Sequence, residues 1–315
     1  MTEGRKCIVT GGAGFIGSHL TDRLLSEGFL VTVVDDFSSG KMENLASQRG
    51  NPRLTVLRMS ILEDGLDRVL EGADAVFHVA AVPRVQYSIR YPELTNRANI
   101  EGTLKVLEAA RAAGVKRVIY SSSSSIYGDQ DRLPLTETMT PNPMSPYALQ
   151  KLAGEHYCRL YHRLFGMETI SLRYFNVYGP RQDPHGGYAN LIPRSIRLML
   201  EGKPPVIYGD GMQTRDFTFV DDVVEANLLA CSTGAQAAFG TTVNIGGGRN
   251  IMVNEVVRLI LQDKPIEPER KPPVVEPRDT LADITRAKAI LGWEPQIAFE
   301  QGICKTIESF NQISN

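Results

Sequence analysis

With 315 residues, 42% of them apolar and 22% charged, the chain has room for one large α/β unit or two modest domains around an ample core. Its formal net charge of −2 gives no electrostatic reason to expect nucleic acid or an anionic membrane surface as a partner. No apolar run is long enough to span a bilayer, and the five histidines form no metal-ligand cluster, so no metal site is indicated.

The predicted elements begin with "CIVTGG" (7–12), a short apolar strand ending in glycines. "FIGSHLTDRLLSEG" (15–28) has helical apolar spacing and a glycine stop. "LVTVVDD" (30–36) and "LTVLRMS" (54–60) read as the second and third strands, "LDRVLEGA" (66–73) as a short helix, and "AVFHVAA" (75–81) as the fourth strand. "NIEGTLKVLEAARAAG" (99–114) is amphipathic with a glycine stop. "KRVIYSSSSS" (116–125) is a fifth strand running into serines. The longest helix, "SPYALQKLAGEHYCRLYHRLFG" (145–166), opens on a Ser145 cap with Pro146 at its first position. "METISLRYFNVYG" (167–179) is the sixth strand.

Strands alternating with helices predict an α/β fold: a doubly wound parallel sheet of Rossmann type, covered on both faces. After Tyr178 proline and glycine cluster, which predicts a smaller C-terminal α/β substrate domain. "TRDFTFVDDVVEANLLAC" (214–231) reads as a strand and helix returning to the first domain. The division is then discontinuous: 1–173 plus about 214–245 for the dinucleotide domain, and about 174–213 plus 246–315 for the second. Cys7, Cys158, Cys231 and Cys304 lack any paired spacing, and the N-terminus opens on a strand rather than a signal peptide. Both point to reduced thiols in a cytoplasmic protein.

Two patterns carry chemistry. Gly11, Gly14 and Gly17 stand between the first strand and helix, where glycine permits a tight turn and close approach of a pyrophosphate to the helix N-terminus. Asp35 ends the second strand, where its carboxylate can accept both adenosine ribose hydroxyls and repel a 2′-phosphate. NAD is therefore expected over NADP, with Lys41 and Arg58 as the residues able to soften that preference. The second pattern is Tyr147 one helical turn before Lys151. Free tyrosine, with a pKa of about 10, is a poor base at neutral pH, and a nearby ammonium favours its phenolate. The pair suits proton transfer coupled to hydride transfer from a secondary alcohol, with a serine from the fifth strand on the same hydroxyl.

These residues together resemble the extended short-chain dehydrogenase/reductase family, over nearly the whole chain. The resemblance rests on TGGAGFIGSHL, Asp35, HVAA (78–81), Asn99, SSSSSIYG (121–128), YxxxK, LRYFNVYGPRQDP (172–184) and GDGMQTRDF (209–217). It implies an NAD site made by Gly11, Gly14, Phe15, Ile16, Gly17, Asp35, Asp36, Ser39, Gly40, Ser60, Ile61, Val79, Ala80, Ala81, Asn99, Ser121, Tyr147, Lys151 and Tyr174. Ser60 stands where the family usually has Asp, which leaves adenine to the backbone or Ile61. The assisting serine maps to Ser123, with Ser124 facing the sugar; in a run of five serines the alternative register is one residue away.

Within the family, dehydratases carry an Asp-Glu pair and decarboxylases a Glu where this chain has Ser124 and Ser125. That points to 4-epimerisation of a UDP-sugar. The resemblance puts Asn176, Asn190 and Leu191 at the UDP, Val206 and Tyr208 at the uracil, and Arg215 and Arg278 on the pyrophosphate. An arginine beside an acid, as Arg215 is beside Asp216, also reads as a simple ion pair. RQDP followed by "GGYAN" looks most like epimerases that accept N-acetylated sugars, and Thr280 in RDTLAD is a small gate that admits the acetamido group. UDP-glucose/galactose and UDP-GlcNAc/GalNAc both stay open. Arg84, with Gln86 and Tyr87, departs from the usual glycine and serine, and Arg84 keeps a uronate 4-epimerase as an alternative. A 4-keto reductase would share the scaffold, and a non-catalytic nucleotide-sugar sensor would keep the fold while needing neither Tyr147 nor Lys151. Family members usually pair through a four-helix bundle; Ala109, Ala110, Leu152, Tyr157 and Leu160 are the candidates for such a homodimer.

Overall fold

The computed structural model describes residues 4–185, 190–262, 264–274 and 276–314. The first half runs β1 (Lys6–Thr10), α1 (Phe15–Ser26), β2 (Leu30–Asp35), β3 (Leu54–Arg58), α2 (Leu66–Leu70), β4 (Ala75–His78), α3 (Val85–Arg90), α4 (Pro92–Asn96), α5 (Gly102–Ala112), β5 (Arg117–Ser123), α6 (Pro146–Phe165) and β6 (Glu168–Tyr174). A π-helical turn, Arg97–Glu101, joins α4 to α5. The second half runs β7 (Val177–Tyr178), α7 (Leu191–Leu200), β8 (Val206–Tyr208), β9 (Thr214–Asp216), β10 (Thr218–Phe219), α8 (Val220–Ser232), β11 (Thr241–Ile245), β12 (Asn250–Met252), α9 (Val253–Leu261), β13 (Glu269–Lys271), α10 (Thr285–Leu291) and α11 (Phe299–Ser314).

Seven strands form one sheet in the order β11-β6-β5-β4-β1-β2-β3, all parallel. The chain winds outward in one direction through β2 and β3, then returns to β4 and winds the other way. The reversal lies between β1 and β4, and connections diverge there to leave a crevice at the strands' C-terminal ends. Side-chain alternation explains why both faces are covered. Val9, Val33, Phe77 and Ile119 point into one core with α1, α8 and α10, while their neighbours Ile8, Val34, Val76 and Val118 point into another with α2, α5 and α6. α6 is capped as its sequence predicts: the Ser145 hydroxyl oxygen accepts the Ala148 N–H at 3.2 Å, and the helix ends at Gly166 with φ 69°.

A third core belongs to the smaller unit. Tyr178, Ile192, Ile196, Phe217, Phe219, Phe299 and Ile303 meet there with the α9 stripe Val253, Val256, Val257 and Ile260. The structure departs from the sequence reading at its edges. "TRDFTFV" splits into β9 and β10, which pair with different strands, and β11 adds a seventh strand to the six expected. Ala287, Leu291 and Trp293, grouped with the second domain by sequence, pack into the first core beside α8. Asp216 knots the seam: its carboxylate accepts the N–H groups of Gly247 (2.6 Å), Gly248 (3.2 Å) and Ala282 (2.9 Å).

Candidate active site

The turn from β1 into α1 is built for backbone. Gly11 has φ 70°, and a Cβ there would lie 2.7 Å from the Ala80 nitrogen. A Cβ at Gly17 would lie 2.1 Å from the Gly11 carbonyl oxygen. Gly14 caps α1 with no side-chain bond, so the positive N-terminus of this 12-residue helix is left to a ligand. At the end of β2, Asp35 is fixed by accepting the Ala13 N–H (2.9 Å) and the Phe37 N–H (2.8 Å). Burial pushes its carboxyl up, against the pull of those two donors. Gly40 packs on this carboxylate, since a Cβ there would come within 2.7 Å of its oxygen.

Phe15, Ile16, Asp36, Ser39, Ser60, Ile61, Val79, Ala80 and Ala81 line the same cleft, which encloses 1510 Å³. A single drug-sized ligand fills at most about 1,000 Å³, so this space suits a dinucleotide together with a second nucleotide. The side-chain-free cradle and the fixed carboxylate fit NAD.

Asn99 and Ser121, both expected at the cofactor, make bonds within the chain. Asn99 lies off the cleft wall in the π-helical turn. Its Oδ1 accepts the Val82 N–H (2.8 Å), and its Nδ2 donates to the Val82 carbonyl (3.1 Å) and to Gln150 Oε1 (2.8 Å). These bonds shape the loop after β4. Ser121 pairs its hydroxyl with the Tyr174 hydroxyl at 3.1 Å, and Tyr174 itself reaches the wall.

Tyr147 sits in the first turn of α6, with its N–H donated to Ser88 Oγ at 3.0 Å. Ser123 lies near its hydroxyl and favours the phenolate, while the Ser123 Oγ accepts from the Ser125 N–H (3.2 Å) and the Ser125 hydroxyl (2.9 Å), so sequence and structure bring the same three residues together. Lys151 lies behind it, donating to the Ser121 carbonyl at 2.7 Å, with Nζ 6.0 Å from the Tyr147 ring centroid. The expected lowering of the phenol is not found. Burial pushes Tyr147 up to about 12, with only Ser123 opposing, and pushes Lys151 down to about 8. The ammonium points at a carbonyl rather than the phenol, so desolvation wins in the protein alone.

Sequence reasoning missed the residues beneath. Glu155 stands one turn beyond Lys151 and accepts from Ser122 Oγ (2.6 Å) and from Arg173 Nε (2.8 Å) and Nη2 (2.7 Å). Arg173 lies directly across the β5–β6 ladder from Ser122. The signal was available as a Tyr147, Lys151, Glu155 ladder at four-residue spacing.

On the substrate side, Asn176, Asn190, Ser124, Arg84, Arg215 and Thr280 line the cleft. Asn176 donates to the Asp216 carbonyl at 2.8 Å. The Thr280 hydroxyl oxygen accepts the Asp216 N–H at 3.1 Å, which fixes the gate residue. Arg215 is buried; its Nη2 faces Glu276 at 3.0 Å yet lacks a hydrogen-bond partner among the described residues. Leu191, Val206 and Tyr208 lie off the wall, with Tyr208 stacked under Arg194 at 5.1 Å. Arg278 also lies off it, exposed and held by both oxygens of Asp210 at 3.2 Å. Gly186 to Ala189 of the GGYAN segment lie outside the described residues.

A glycine cradle at the switch point and a buried Ser–Tyr–Lys group beside it are the layout of a nicotinamide-dependent enzyme of the short-chain dehydrogenase/reductase class. Comparison with known proteins narrows this: the chain belongs to the NAD dependent epimerase/dehydratase family, matched over residues 7–246. It is 41% identical over 315 residues to the UDP-glucose 4-epimerase of Mycolicibacterium smegmatis, an alignment covering 98% of this chain and 99% of that one. Among solved structures, the UDP-glucose 4-epimerase of Thermotoga maritima, determined with UDP-glucose, superposes with a TM-score of 0.92 at 40% identity over 98% of this chain and 100% of that one. The UDP-N-acetylglucosamine 4-epimerase of Methanobrevibacter ruminantium, in complex with UDP-N-acetylmuramic acid, gives a TM-score of 0.94 at 36% identity over 99% of both chains.

Proposed function

We propose that this chain is an NAD-dependent UDP-sugar 4-epimerase, acting on UDP-glucose/UDP-galactose, UDP-GlcNAc/UDP-GalNAc, or both. The observation that carries this reading is the end of β5, where Ser124 and Ser125 line the cleft beside the Ser123–Tyr147 pair and supply no acid. Loss of water across C5–C6 would need an acid–base group at that place.

Ser123 holds the sugar 4-hydroxyl, and Tyr147 takes its proton as C4 is oxidised. NAD held in the cradle would supply the hydride acceptor and donor for C4. The 4-ketone presents its other face, and Tyr147 returns the proton to O4 as the inverted alcohol forms. Atoms and electrons balance with no net cofactor use. Because burial holds the phenol near 12, the anion depends on positive charge brought next to it, and in the protein alone the Lys151 ammonium is turned to the Ser121 carbonyl. The backbone from Gly11 to Gly17 would hold the cofactor pyrophosphate, and Asp35 the adenosine ribose. The buried Nη2 of Arg215 lies 3.0 Å from the Glu276 carboxylate with no well-formed hydrogen bond, and it fits a substrate phosphate oxygen once that acid is displaced. Thr280 leaves space for an acetamido group.

Proton NMR with UDP-glucose and, separately, UDP-GlcNAc, no NAD added, tests the reading. New anomeric signals from the C4 epimer support a self-contained epimerase. Silence with both sugars, persisting when NAD is added, overturns it.

The assembly we infer is a homodimer. Leu149, Leu160 and Leu164 on α6 are exposed by 55%, 43% and 68%, with Leu94 of α4 at 50%, which supports a helix-pair contact. Ala109 and Ala110, also proposed for that contact, are buried in the subunit's own core. The free, buried Cys7, Cys158 and Cys231 support a cytoplasmic location.

A further inference from the structure

Arg84 starts α3 on the cleft wall, and its carbonyl accepts the N–H of Ser88, the residue that holds the Tyr147 N–H. It therefore stands one helical turn from the group that anchors the catalytic tyrosine. Its Nη2 donates to Asp183 Oδ2 at 2.6 Å. Asp183 comes from the opposite wall, in the segment leaving β7, and its other oxygen accepts the His185 N–H at 3.2 Å. The two side chains are 32% and 36% exposed, so a ligand in the cleft meets the pair and not the arginine alone. Arg181 and Arg197 on the same wall also carry their own acids, at 2.6 Å and 2.7 Å.

We propose that Asp183 is a specificity-determining residue that turns the cleft against UDP-uronates and toward UDP-sugars with a neutral C6. The inference rests on the UDP-sugar epimerase reading. A C6 carboxylate needs a partner of net positive charge, and Arg84, although it keeps N–H donors beyond the one given to Asp183, does not provide one. Arg84 offers a pair with no net charge, and any carboxylate drawn to it approaches a second carboxylate. Rejection by like charge of this kind is a recognised route to selectivity. A C6 hydroxymethyl group meets no such opposition and can hydrogen-bond to either member. The arginine that keeps a uronate reading open in the sequence is thus the one the structure neutralises.

Asp183→Asn tests this, since the amide keeps the shape and the bond to His185. The holoenzyme is assayed with UDP-glucose and UDP-glucuronate, and the readout is the ratio of their kcat/KM values. Wild type favours UDP-glucose, and Asp183→Asn moves the ratio toward the uronate by about tenfold. Adding Arg84→Gln removes the gain, because the freed guanidinium is what captures the carboxylate. The same pairs are measured as ligand affinities in a Tyr147→Phe background, where chemistry is silenced. An unchanged ratio in Asp183→Asn, or a wild type that prefers UDP-glucuronate, overturns the proposal while leaving an epimerase. Wild type inert on every UDP-sugar overturns the epimerase reading itself.

Discussion

Glu155→Ala strands a guanidinium inside the protein. The Glu155 and Arg173 side chains are 2% and 4% exposed, and two short charge-assisted bonds join them. Glu155 holds Arg173 protonated well above the ordinary guanidinium range despite its burial. Arg173 Nη1 already lacks a partner among the described residues, so the ion has little to fall back on when the carboxylate goes. Breaking such a pair from one side costs about 4 kcal/mol. For a chain of this size, at about 2 °C per kcal/mol, that is a fall of about 8 °C in Tm. Replacing both, as Glu155→Leu with Arg173→Met, should recover most of the loss, since well-packed apolar groups can match a buried ion pair. Thermal and urea unfolding of the two variants and wild type provide the assay. A loss under about 1 kcal/mol in Glu155→Ala, or a double variant no better than the single, would refute the reasoning. Turnover adds a second readout: freeing Ser122 loosens the strand end that carries Ser123, so kcat falls in both variants.

Tyr147→Phe removes the proton acceptor and lowers kcat by about 1,000-fold while UDP-sugar affinity is kept, as calorimetry can check. Lys151 sets a pH signature on stability. Its folded value of about 8 lies below the ordinary 10.5, so between those values the unfolded chain binds more protons and stability rises with pH. Urea midpoints across that window should show the rise, and Lys151→Met should flatten it; above pH 10, the raised Tyr147 gives the opposite slope. Gly17→Ala drives a methyl to 2.1 Å from the Gly11 carbonyl oxygen and disrupts the cradle. NAD binding, followed by fluorescence titration, should weaken by about 100-fold.

The parts of the fold that could be read from sequence are those with long, regular signals. Buried parallel strands such as "CIVT" and "AVFH" announce themselves as apolar runs, and α6 by its Ser145–Pro146 start and Gly166 stop. The local geometry was legible where one residue type is forced by the backbone, as at Gly11 and Gly17, or by helical spacing, as at Tyr147 and Lys151. It was not legible where partners come from distant segments. Nothing near Arg84 in sequence announces Asp183, 99 residues on. The same holds for the Arg278 pairing with Asp210, 68 residues away, and for the Asn99 bonds to Val82 and Gln150. The split of "TRDFTFV" escaped for a related reason: strands of two or three residues have too little periodicity to detect.

The knot at Asp216 sets an order of assembly. By the time residue 245 has left the ribosome, every strand of the large sheet has been made, and the cofactor cradle can form around it. Asp216 then still lacks all three of its backbone donors, because Gly247, Gly248 and Ala282 have yet to emerge from the exit tunnel. Thr280, whose hydroxyl takes the Asp216 N–H, arrives with the last of them. The sheet and its glycine turn thus emerge before the sugar side of the cleft, and α10 and Trp293, which complete the first core, come later still. A chain cut short in its final fifth would lose Thr280 and that wall, and with α10 and Trp293 part of the core beneath the cradle as well.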